Sequence, residues 1–575
     1  MNKMMKKVIK LFLIAIIFIN ILLLTSCDFH MHTFVKWSRD SDNHWKECEC
    51  GETIKEAHKY GAWVSDEKNH WKECECGAIY KESHTYDKGT TTKEATCTIE
   101  GIIEYKCTKC EKIKEEKIKK IRHSYVEGKC IFCNGDEQDV EFEFELSVDG
   151  TYYILTGIYS SSDIKLDIVI PNTHKELPVK CIGKLAFSGD TCITSIEIPN
   201  GITKIGYGAF AGCTNLTSIT IPSSVTTIDY SAFTRCTNLT SITIPSSVTS
   251  IGEETFADCT NLKEVIFEEN SQLTSIGYSS FSNCTSLENI EIPNNVSIIG
   301  DGAFYNCTSL ENIKLPKMLT IIGGGAFQNC TSLMSIEIPN SVKKIVDLSF
   351  AECINLKEVI FEEDSQLKEI SEGLFLKCTN LEKITIPRGV ENIEVNAFYE
   401  CTNLKKVVIS NTVTRIFEKA FYSCSSLSEL IFQENSQLTW IEDAAFLLCE
   451  KLEKIEIPSS VISIGEETFA DCTNLKEVVF QENSQLKSID FSAFACCSIE
   501  SIELPNGFAD LGECGFYDCK NLKSIVIPIS VTNIGDDAFY SCSNLTIYCE
   551  VEEQPKGWSY DWNSSNCPVV WGYKK

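Results

Sequence analysis

The chain repeats itself along most of its length, and a cysteine holds a fixed place in each period. The stretch SSVTSIGEETFADCTNL at 246–262 returns almost letter for letter as SSVISIGEETFADCTNL at 459–475. The recurring cysteines are Cys192, Cys213, Cys236, Cys259, Cys284, Cys307, Cys330, Cys353, Cys378, Cys401, Cys424, Cys449, Cys472, Cys497, Cys519 and Cys542. Most steps are 23 residues, and four are 25 because each contains an insertion such as FEENSQL at 267–273. Units this short bury their apolar residues by stacking on one another, so we predict a solenoid.

One period, CTNLTSITIPSSVTTIDYSAF, contains two short extended segments followed by a turn. The positions expected to point inward are Leu216, Ile219, Ile221, Val225 and Ile228. Pro222 ends the first segment because proline cannot donate to a sheet ladder. Phe233 and Cys236 stand three residues apart, which predicts that a short helical turn puts ring and thiol on one face. The predicted fold class is therefore an α/β repeat solenoid, β-rich with short helical turns.

Stacking of such coils places like residues in columns. The cysteines are expected to form a buried ladder of inert thiols, since burial raises a thiol's pKa, and the phenylalanines a second ladder beside it. Glycines at the start of the turn, such as Gly277, are expected to permit a tight bend. The predicted organisation is a signal peptide at 1–26, Cys/His-rich modules at 27–137, an N-terminal cap at 138–191, repeats at 192–545 and a C-terminal cap at 546–575.

Seven of the eight histidines lie between His30 and His123, where the chain has a different repeat of 26 residues. Two modules each contain the pattern H-x3-C-x-C-x7-H. The candidate metal ligands are His44, Cys48, Cys50 and His58 in one module and His70, Cys74, Cys76 and His84 in the next. Four nitrogen and thiolate ligands suit tetrahedral zinc and leave no open position, so a structural ion is predicted in each module.

The third module departs from this pattern and leaves two groupings open. One is Cys97, Cys107, Cys110 and His123; the other is Cys107, Cys110, Cys130 and Cys133, whose spacing matches a zinc ribbon. Disulfides are the alternative to metal throughout the segment, because extracellular cysteines commonly pair. Recurrent histidine beside cysteine favours metal, since a disulfide needs no imidazole.

The N-terminus begins with lysines, continues with an apolar run at 11–24 and ends in LLTSC. This order is that of an export signal. The LLTSC stretch resembles the lipobox of bacterial lipoproteins, which implies cleavage before Cys27 and acylation of that residue. Acyl chains would hold the mature protein on the outer face of a membrane.

The formal net charge is −29, and an acidic body of this kind argues against nucleic acid as a partner. The repeats contain no phosphate-binding glycine loop and no acid–base pair in a repeat-breaking position, so we do not expect an enzyme. Two alternatives stay open beside a binding protein: an extracellular metal-binding lipoprotein and a module associated with a surface hydrolase.

The pattern C-x-x-L-x-x-I-x-I-P-x-x-V-x-x-I-G-x-x-A-F closely resembles the BspA-like leucine-rich repeats of surface proteins, over roughly residues 139–575. The resemblance implies extracellular recognition or adhesion, with a protein or a glycan as the ligand. PKGWSYDWNSSNCPVVWGY at 555–573 resembles the C-terminal cap of that family. Two readings stay open for Cys549 and Cys567 there: a disulfide or two free thiols.

The outward positions of the first strand make the expected ligand face, because every coil presents them in one continuous sheet. The candidates are Thr217, Ser218, Thr220, Thr240, Ser241, Thr243, Glu288, Glu291, Glu311, Lys314, Glu382, Lys383, Glu453, Lys454 and Glu456. This face is polar and becomes more charged after the first coils.

Overall fold

The computed structural model describes residues 36–39, 42–47, 53–95, 100–118, 125–126, 129–130, 140–160 and 166–574. Contacts divide the chain into two units, Met1–Gln138 and Asp139–Lys575. Several predicted site residues lie outside the described ranges, namely Cys27, Cys48, Cys50, Cys97, His123 and Cys133; Cys130 lies in a short strand whose side chains are not described. Within these ranges there is no helix with the length and apolarity needed to cross a bilayer.

Antiparallel sheets form the first unit. Three of them have three strands each, in the orders β1-β2-β3, β4-β5-β6 and β7-β8-β9, and β10 pairs with β11. The strands are β1 (Lys36–Arg39), β2 (Asn43–Glu47), β3 (Thr53–Ala57), β4 (Val64–Ser65), β5 (Asn69–Glu73), β6 (Ile79–Ser83), β7 (Thr90–Lys93), β8 (Gly101–Lys106), β9 (Ile113–Ile118), β10 (Tyr125–Val126) and β11 (Lys129–Cys130). Each 26-residue repeat is thus a β hairpin with one added strand.

The second unit begins with a cap and continues as the solenoid. The cap strands are β12 (Val140–Leu146), β13 (Tyr153–Ser160), β14 (Leu166–Val169), β15 (Thr173–His174) and β16 (Leu177–Ile182). Strand β13 pairs in parallel with β16, and β16 pairs with the first coil, so the cap covers one end of the stack.

Each coil contributes a first strand of three to five residues. The first strands are β17 (Ile193–Glu197), β19 (Ser218–Thr220), β21 (Ser241–Ile244), β23 (Glu264–Phe267), β25 (Asn289–Glu291), β27 (Asn312–Lys314), β29 (Ser335–Ile338), β31 (Glu358–Phe361), β33 (Lys383–Thr385), β35 (Lys406–Ile409), β37 (Glu429–Phe432), β39 (Lys454–Ile457), β41 (Glu477–Phe480), β43 (Ser501–Glu503), β45 (Ser524–Ile527) and β47 (Thr546–Cys549), with β48 (Val569–Val570) added at the end. Their residues alternate between buried and outward-facing, as the sequence predicts. They pair in parallel, but in four successive sheets (β14–β19, β21–β27, β29–β37 and β39–β48) rather than in the one continuous sheet predicted.

A second strand of two residues follows in each coil except the last. The second strands are β18 (Lys204–Ile205), β20 (Thr227–Ile228), β22 (Ser250–Ile251), β24 (Ser275–Ile276), β26 (Ile298–Ile299), β28 (Ile321–Ile322), β30 (Lys344–Ile345), β32 (Glu369–Ile370), β34 (Asn392–Ile393), β36 (Arg415–Ile416), β38 (Trp440–Ile441), β40 (Ser463–Ile464), β42 (Ser488–Ile489), β44 (Asp510–Leu511) and β46 (Asn533–Ile534). These also pair in parallel from coil to coil, so the repeats are confirmed as a β-solenoid.

The turn that carries Phe and Cys is not helical, and the described residues contain no α-helix. Every second N–H in this turn donates to the next coil: Gly208 to Tyr230 O, Phe210 to Ala232 O and Gly212 to Thr234 O. Two residues in most coils, such as Ser231 and Arg235, adopt positive φ to allow this alternation. The predicted helical turns are therefore wrong, because these N–H groups bond between coils rather than along the chain.

The predicted ladders of rings and thiols are confirmed, except that Cys192, the first cysteine of the predicted series, is only half-buried. Phenylalanine rings stack from Phe187 to Phe539 with centroids 4.9–5.9 Å apart. Fifteen cysteine thiols, from Cys213 to Cys542, each donate to a phenylalanine carbonyl of the preceding coil at 3.0–3.4 Å. The cysteine is thus held by a hydrogen bond as well as by its volume.

Glycine opens many of the turns for a different reason from the one predicted. Gly277 has no positive φ, but a Cβ at this position would lie 2.8 Å from the carbonyl carbon of Gly252 in the preceding coil. The close approach of two backbones, rather than a tight bend, explains this glycine.

Trp562 closes the far end of the stack, lying edge-on to Phe539 with the ring planes at 83°. Cys549 and Cys567 are both free and buried, and the Cys567 thiol donates to Cys542 O at 3.4 Å. Of the two alternatives left open by the sequence, the structure therefore has two free thiols and not a disulfide. Cys567 instead extends the thiol ladder into the cap.

Candidate functional site

The outward residues of the odd-numbered strands β17–β47 form one side of the solenoid, called here the strand face. All fifteen candidates named from the sequence are exposed there or immediately before a strand. In strand β19, for example, Ser218 and Thr220 face outward around buried Ile219.

Charged residues of the strand face pair across neighbouring coils. Lys383 lies 2.8 Å from Glu358, Lys405 lies 3.3 Å from Glu382, and Lys454 lies 2.7 Å from Glu477. Exposed pairs of this kind contribute little stability, because water and salt screen them. They do satisfy one another's charge, so these predicted positions are less available to a ligand than their exposure suggests.

The polar description of the strand face missed three exposed isoleucines. Ile266, Ile360 and Ile431 are 42%, 47% and 41% exposed, each at the same outward position of a long repeat. The signal was present in the sequence, since EVIF and ELIF place an isoleucine where most short repeats have Thr, Glu or Lys and two have Val. Each isoleucine places one exposed apolar side chain among the polar residues of the strand face.

Two clefts open on the strand face beside these isoleucines. The first has a volume of 840 Å³ and lies between the long repeat at 263–271 and the next coil at 288–295. The second, of 590 Å³, lies between 358–365 and 383–388. In both places pairing of the first strands is short, down to the single pair Glu358↔Lys383 in the second cleft, and the strands separate beyond it.

Acidic residues line both clefts. The first contains Glu264, Glu268, Glu269, Glu288 and Glu291 against one cation, Lys263. Not every carboxylate is free: Glu268 accepts a hydrogen bond from the Ser246 backbone N–H at 3.0 Å, and Glu362 does the same for Asn340 at 3.1 Å. In these inserted loops, therefore, the first glutamate accepts a backbone hydrogen bond from the preceding coil and the second glutamate faces solvent.

In the first unit, two clusters of histidine and cysteine form from described residues. His44, His58, Cys74 and Cys76 make the first, called here cluster 1. Cluster 2 contains His70, His84, Cys107 and Cys110. Within each cluster the four ligand atoms all lie within 4.8 Å of one another, so each could hold a metal ion.

Distances within the clusters have the size of a tetrahedral coordination shell. In cluster 1 the two histidine Nδ1 atoms are 3.3 Å apart, and the distances from Cys74 Sγ to His44 and Cys76 Sγ to His58 are 3.2 and 3.3 Å. Cluster 2 repeats this geometry at 3.3, 3.5 and 3.3 Å. An ion about 2.0–2.1 Å from each nitrogen gives tetrahedral edges of about 3.3–3.4 Å.

These ligand sets differ from the ones predicted within single modules. His70 and Cys74 stand at opposite ends of strand β5, and four residues of strand span about 13 Å. One ion cannot reach both, so the H-x3-C-x-C-x7-H grouping is wrong for the second module. In the first module, His44 and His58 lie with Cys74 and Cys76, while Cys48 and Cys50 lie outside the described residues. In the third module, Cys107 and Cys110 lie with His70 and His84. The other members of the two groupings predicted there, namely Cys97, His123, Cys130 and Cys133, are not among the described side chains.

The surroundings of cluster 2 suit imidazole and thiolate ligands. His70 Nε2 lies 2.9 Å from Glu82, and His84 Nε2 lies 3.1 Å from the Asp66 carbonyl, which leaves both Nδ1 atoms facing the cluster. Hydrogen bonds from Lys109 and His70 lower the pKa of Glu82 to about 2.

One thiol in each cluster, Cys74 or Cys107, has a lowered pKa. Desolvation raises the pKa of Cys74 and Cys107, but hydrogen bonds from backbone N–H groups and from histidine outweigh it and lower each pKa to about 6. Thiolate, the form that coordinates metal, is thus favoured at neutral pH.

Comparison with known proteins matches the repeats to a family model described as a BspA type leucine rich repeat region, over residues 180–307, 274–405, 363–447 and 439–552. A leucine-rich repeat protein from Bacteroides ovatus is 26% identical, with a TM-score of 0.50, over 71% of this chain and 98% of that one. A leucine rich cell surface protein from Faecalibacterium prausnitzii is 24% identical, with a TM-score of 0.36, over 80% of this chain and 99% of that one. No curated protein matches.

Proposed function

The chain belongs to the family of BspA-type leucine-rich repeat proteins, and from this premise we propose that it is a recognition protein of the bacterial cell surface. Its strand face binds an extracellular protein, with the two clefts as the points of closest contact. The observation that carries this proposal is the exposed isoleucine that borders each acidic cleft, Ile266 in the first and Ile360 in the second.

A protein partner is favoured over a glycan by the chemistry of this surface. Protein interfaces combine an apolar centre with a polar rim, as Ile266 and the surrounding glutamates do. Sugars are commonly held by flat aromatic rings, whereas the strand face presents branched aliphatic side chains at these positions. The acidic rim favours a partner that is basic around an apolar contact.

Binding of the full chain to an array of extracellular matrix proteins and glycans tests the proposal. Ile266→Lys is expected to weaken binding to the protein partner by about tenfold or more. Ile298→Lys is the matched control, because Ile298 is 41% exposed but lies in strand β26 on the other sheet. Binding to glycans alone, or equal effects of the two substitutions, would contradict a protein ligand on the strand face.

We propose in addition that the protein is anchored through lipid on Cys27. The support is the basic start, the apolar run and the LLTSC stretch. A labelled fatty acid supplied to producing cells is expected to appear in the wild-type protein and to be absent from Cys27→Ala. Label retained by Cys27→Ala would contradict acylation at this residue.

Zinc is the ion that we propose for clusters 1 and 2, in a structural role. Two imidazoles and two thiolates fill all four positions of tetrahedral zinc and leave none for substrate. The full chain, purified without chelator, is expected to contain zinc by elemental analysis. His44→Asn and His70→Asn are each expected to lose one ion relative to wild type.

A further inference from the structure

The described part of the first unit has almost no apolar core. Its fully buried side chains are His44, His70, Cys74 and Cys107, all of them members of the two clusters. Aromatic residues such as Trp63 and Tyr80 are only partly covered. Sheets this small cannot bury enough apolar surface to hold together unaided, so something other than hydrophobic packing must join them.

Each cluster draws its ligands from two successive modules. In cluster 1 the histidines flank the hairpin formed by β2 and β3, and the cysteines lie in the turn between β5 and β6. Cluster 2 is built in the same way, with histidines flanking β5 and β6 and cysteines in the turn after β8. The β5–β6 hairpin therefore contributes the two cysteines of its turn to cluster 1 and the two histidines near its open end to cluster 2.

Direct contacts between the modules are few and lie around the clusters. One backbone bridge joins Tyr60 to Cys74 and one joins Tyr86 to Cys107, each with only a few backbone hydrogen bonds beside it, such as Gly61 N–H to Glu73 O and Asp87 N–H to Lys106 O. Arg39 donates to the Cys76 carbonyl at 3.1 Å, and Lys109 pairs with Glu82. These polar contacts are exposed, so they add little to the stability of the junctions.

We propose that a metal ion at each cluster clamps two neighbouring modules together, so that metal loading assembles the first unit as a chain of linked hairpins. This inference rests on the proposal that the clusters bind metal. Without metal the modules separate and become disordered, since the ion replaces the missing core. The solenoid, which has its own continuous core, stays folded.

Paired substitutions in the full chain test which residues share an ion. At a saturating, buffered zinc concentration, His70→Asn and Cys107→Ser are each expected to lose one ion relative to wild type. The double variant His70→Asn/Cys107→Ser is also expected to lose one, because both residues belong to cluster 2. The matched double variant His70→Asn/Cys74→Ser is expected to lose two, because it damages both clusters.

Ions bound within single modules would give the reverse result, with two ions lost in His70→Asn/Cys107→Ser and one in His70→Asn/Cys74→Ser. That outcome overturns the clamp but leaves the zinc proposal standing. Absence of bound metal from the wild-type protein overturns both, as does a disulfide at Cys74 or Cys107 found by mass spectrometry of the native protein.

Limited proteolysis of the full chain tests the structural consequence. Adding a strong chelator is expected to remove protection from cleavage within 53–118, while 166–574 stays resistant; restoring zinc is expected to restore protection. Unchanged protection of 53–118 in a protein shown to have lost its metal would overturn the clamp, because the modules would then be held by other means.

Discussion

At the scale of single residues, the ladder cysteine combines small volume with one weak donor. Its thiol reaches the phenylalanine carbonyl of the preceding coil, which also accepts the backbone N–H of that coil's own cysteine, as Phe304 O does from Cys307. Each coil therefore offers one carbonyl to the next coil's thiol, in the narrow space beside the stacked rings. Serine would fit this space but would bury a more strongly hydrated group, which explains a small, soft side chain at this position.

Removing one ladder thiol is expected to destabilise the solenoid. Cys330→Ala deletes the donor to Phe304 O and leaves a small cavity, so we expect a loss of about 1–3 kcal/mol in unfolding free energy. The change is measured as a lower denaturant midpoint followed by circular dichroism. Cys514→Ala serves as the control, because Cys514 is only partly buried and lies outside the ladder. Equal midpoints for the two variants would contradict a stabilising role for the ladder bond.

Buried thiols also predict how stability depends on pH. Burial raises the pKa of Cys259, Cys307 and Cys472 to about 12. Between the pKa of an unfolded thiol, about 8.5, and the folded value, the folded chain binds more protons, so stability falls as pH rises. Each such thiol contributes a slope of about 1.4 kcal/mol per pH unit.

Denaturant midpoints recorded between pH 7 and pH 11 measure this slope. They are expected to stay level up to about pH 8.5 and then to fall steeply. A triple variant with alanine at Cys259, Cys307 and Cys472 is expected to fall less steeply. A wild-type midpoint that stays constant to pH 11 would show that the thiols ionise equally in both states.

At the scale of elements, the inserted loop of the long repeats depends on its Asn or Asp. Asn270, Asp364, Asn435 and Asn483 all adopt φ of 58–61°. These residue types tolerate the left-handed region better than other side chains, because their short polar groups bond locally. The loop can thus turn back to the second strand without glycine.

Asn270→Gly is therefore expected to leave stability nearly unchanged, whereas Asn270→Val is expected to cost about 1–3 kcal/mol. Asn294→Val provides the control, since Asn294 is equally exposed but does not adopt positive φ. Thermal unfolding of the three variants measures the difference. A similar loss for Val at both positions would attribute the effect to hydrophobic exposure instead of backbone strain.

Sequence pattern predicted the elements well where the signal was local and repeated. The alternation around Ile219 and the position of Pro222 were enough to place the first strand, because each coil gives the same evidence again. Helical turns were predicted wrongly because the spacing of Phe233 and Cys236 fits a helix equally well. The deciding hydrogen bonds join residues 22 apart, such as Phe210 and Ala232, and a local pattern contains no trace of them.

The same limit explains the metal ligands. Their residue types and the count of four followed from the sequence, but the grouping did not. His44 and Cys74 are 30 residues apart in sequence. They meet only because the turn of each hairpin lies beside the open end of the preceding hairpin. The length of strand β5 could have excluded the single-module grouping in advance, since a strand separates its ends by far more than one coordination shell.

At the scale of the whole molecule, the ring and thiol contacts that repeat from coil to coil predict that a coil can be removed. Deleting residues 214–236 joins Cys213 to Thr237 and keeps the phase of strands, rings and thiols. We expect this variant to fold, with the circular dichroism spectrum of the parent and a single cooperative transition. Deleting 214–225 removes half a period and is expected to disrupt folding at that point. If the two deletion variants behaved alike, the requirement that strands, rings and thiols stay in phase between coils would be contradicted.

The orientation of Trp562 matters because the same ring contacts repeat from coil to coil. A column of identical rings would accept one more ring as readily at its end as in its middle, including a ring that belongs to another molecule. By turning edge-on to Phe539, the indole offers no parallel face for such a newcomer. A single side chain thus helps to keep a surface built for endless extension from growing into a fibre.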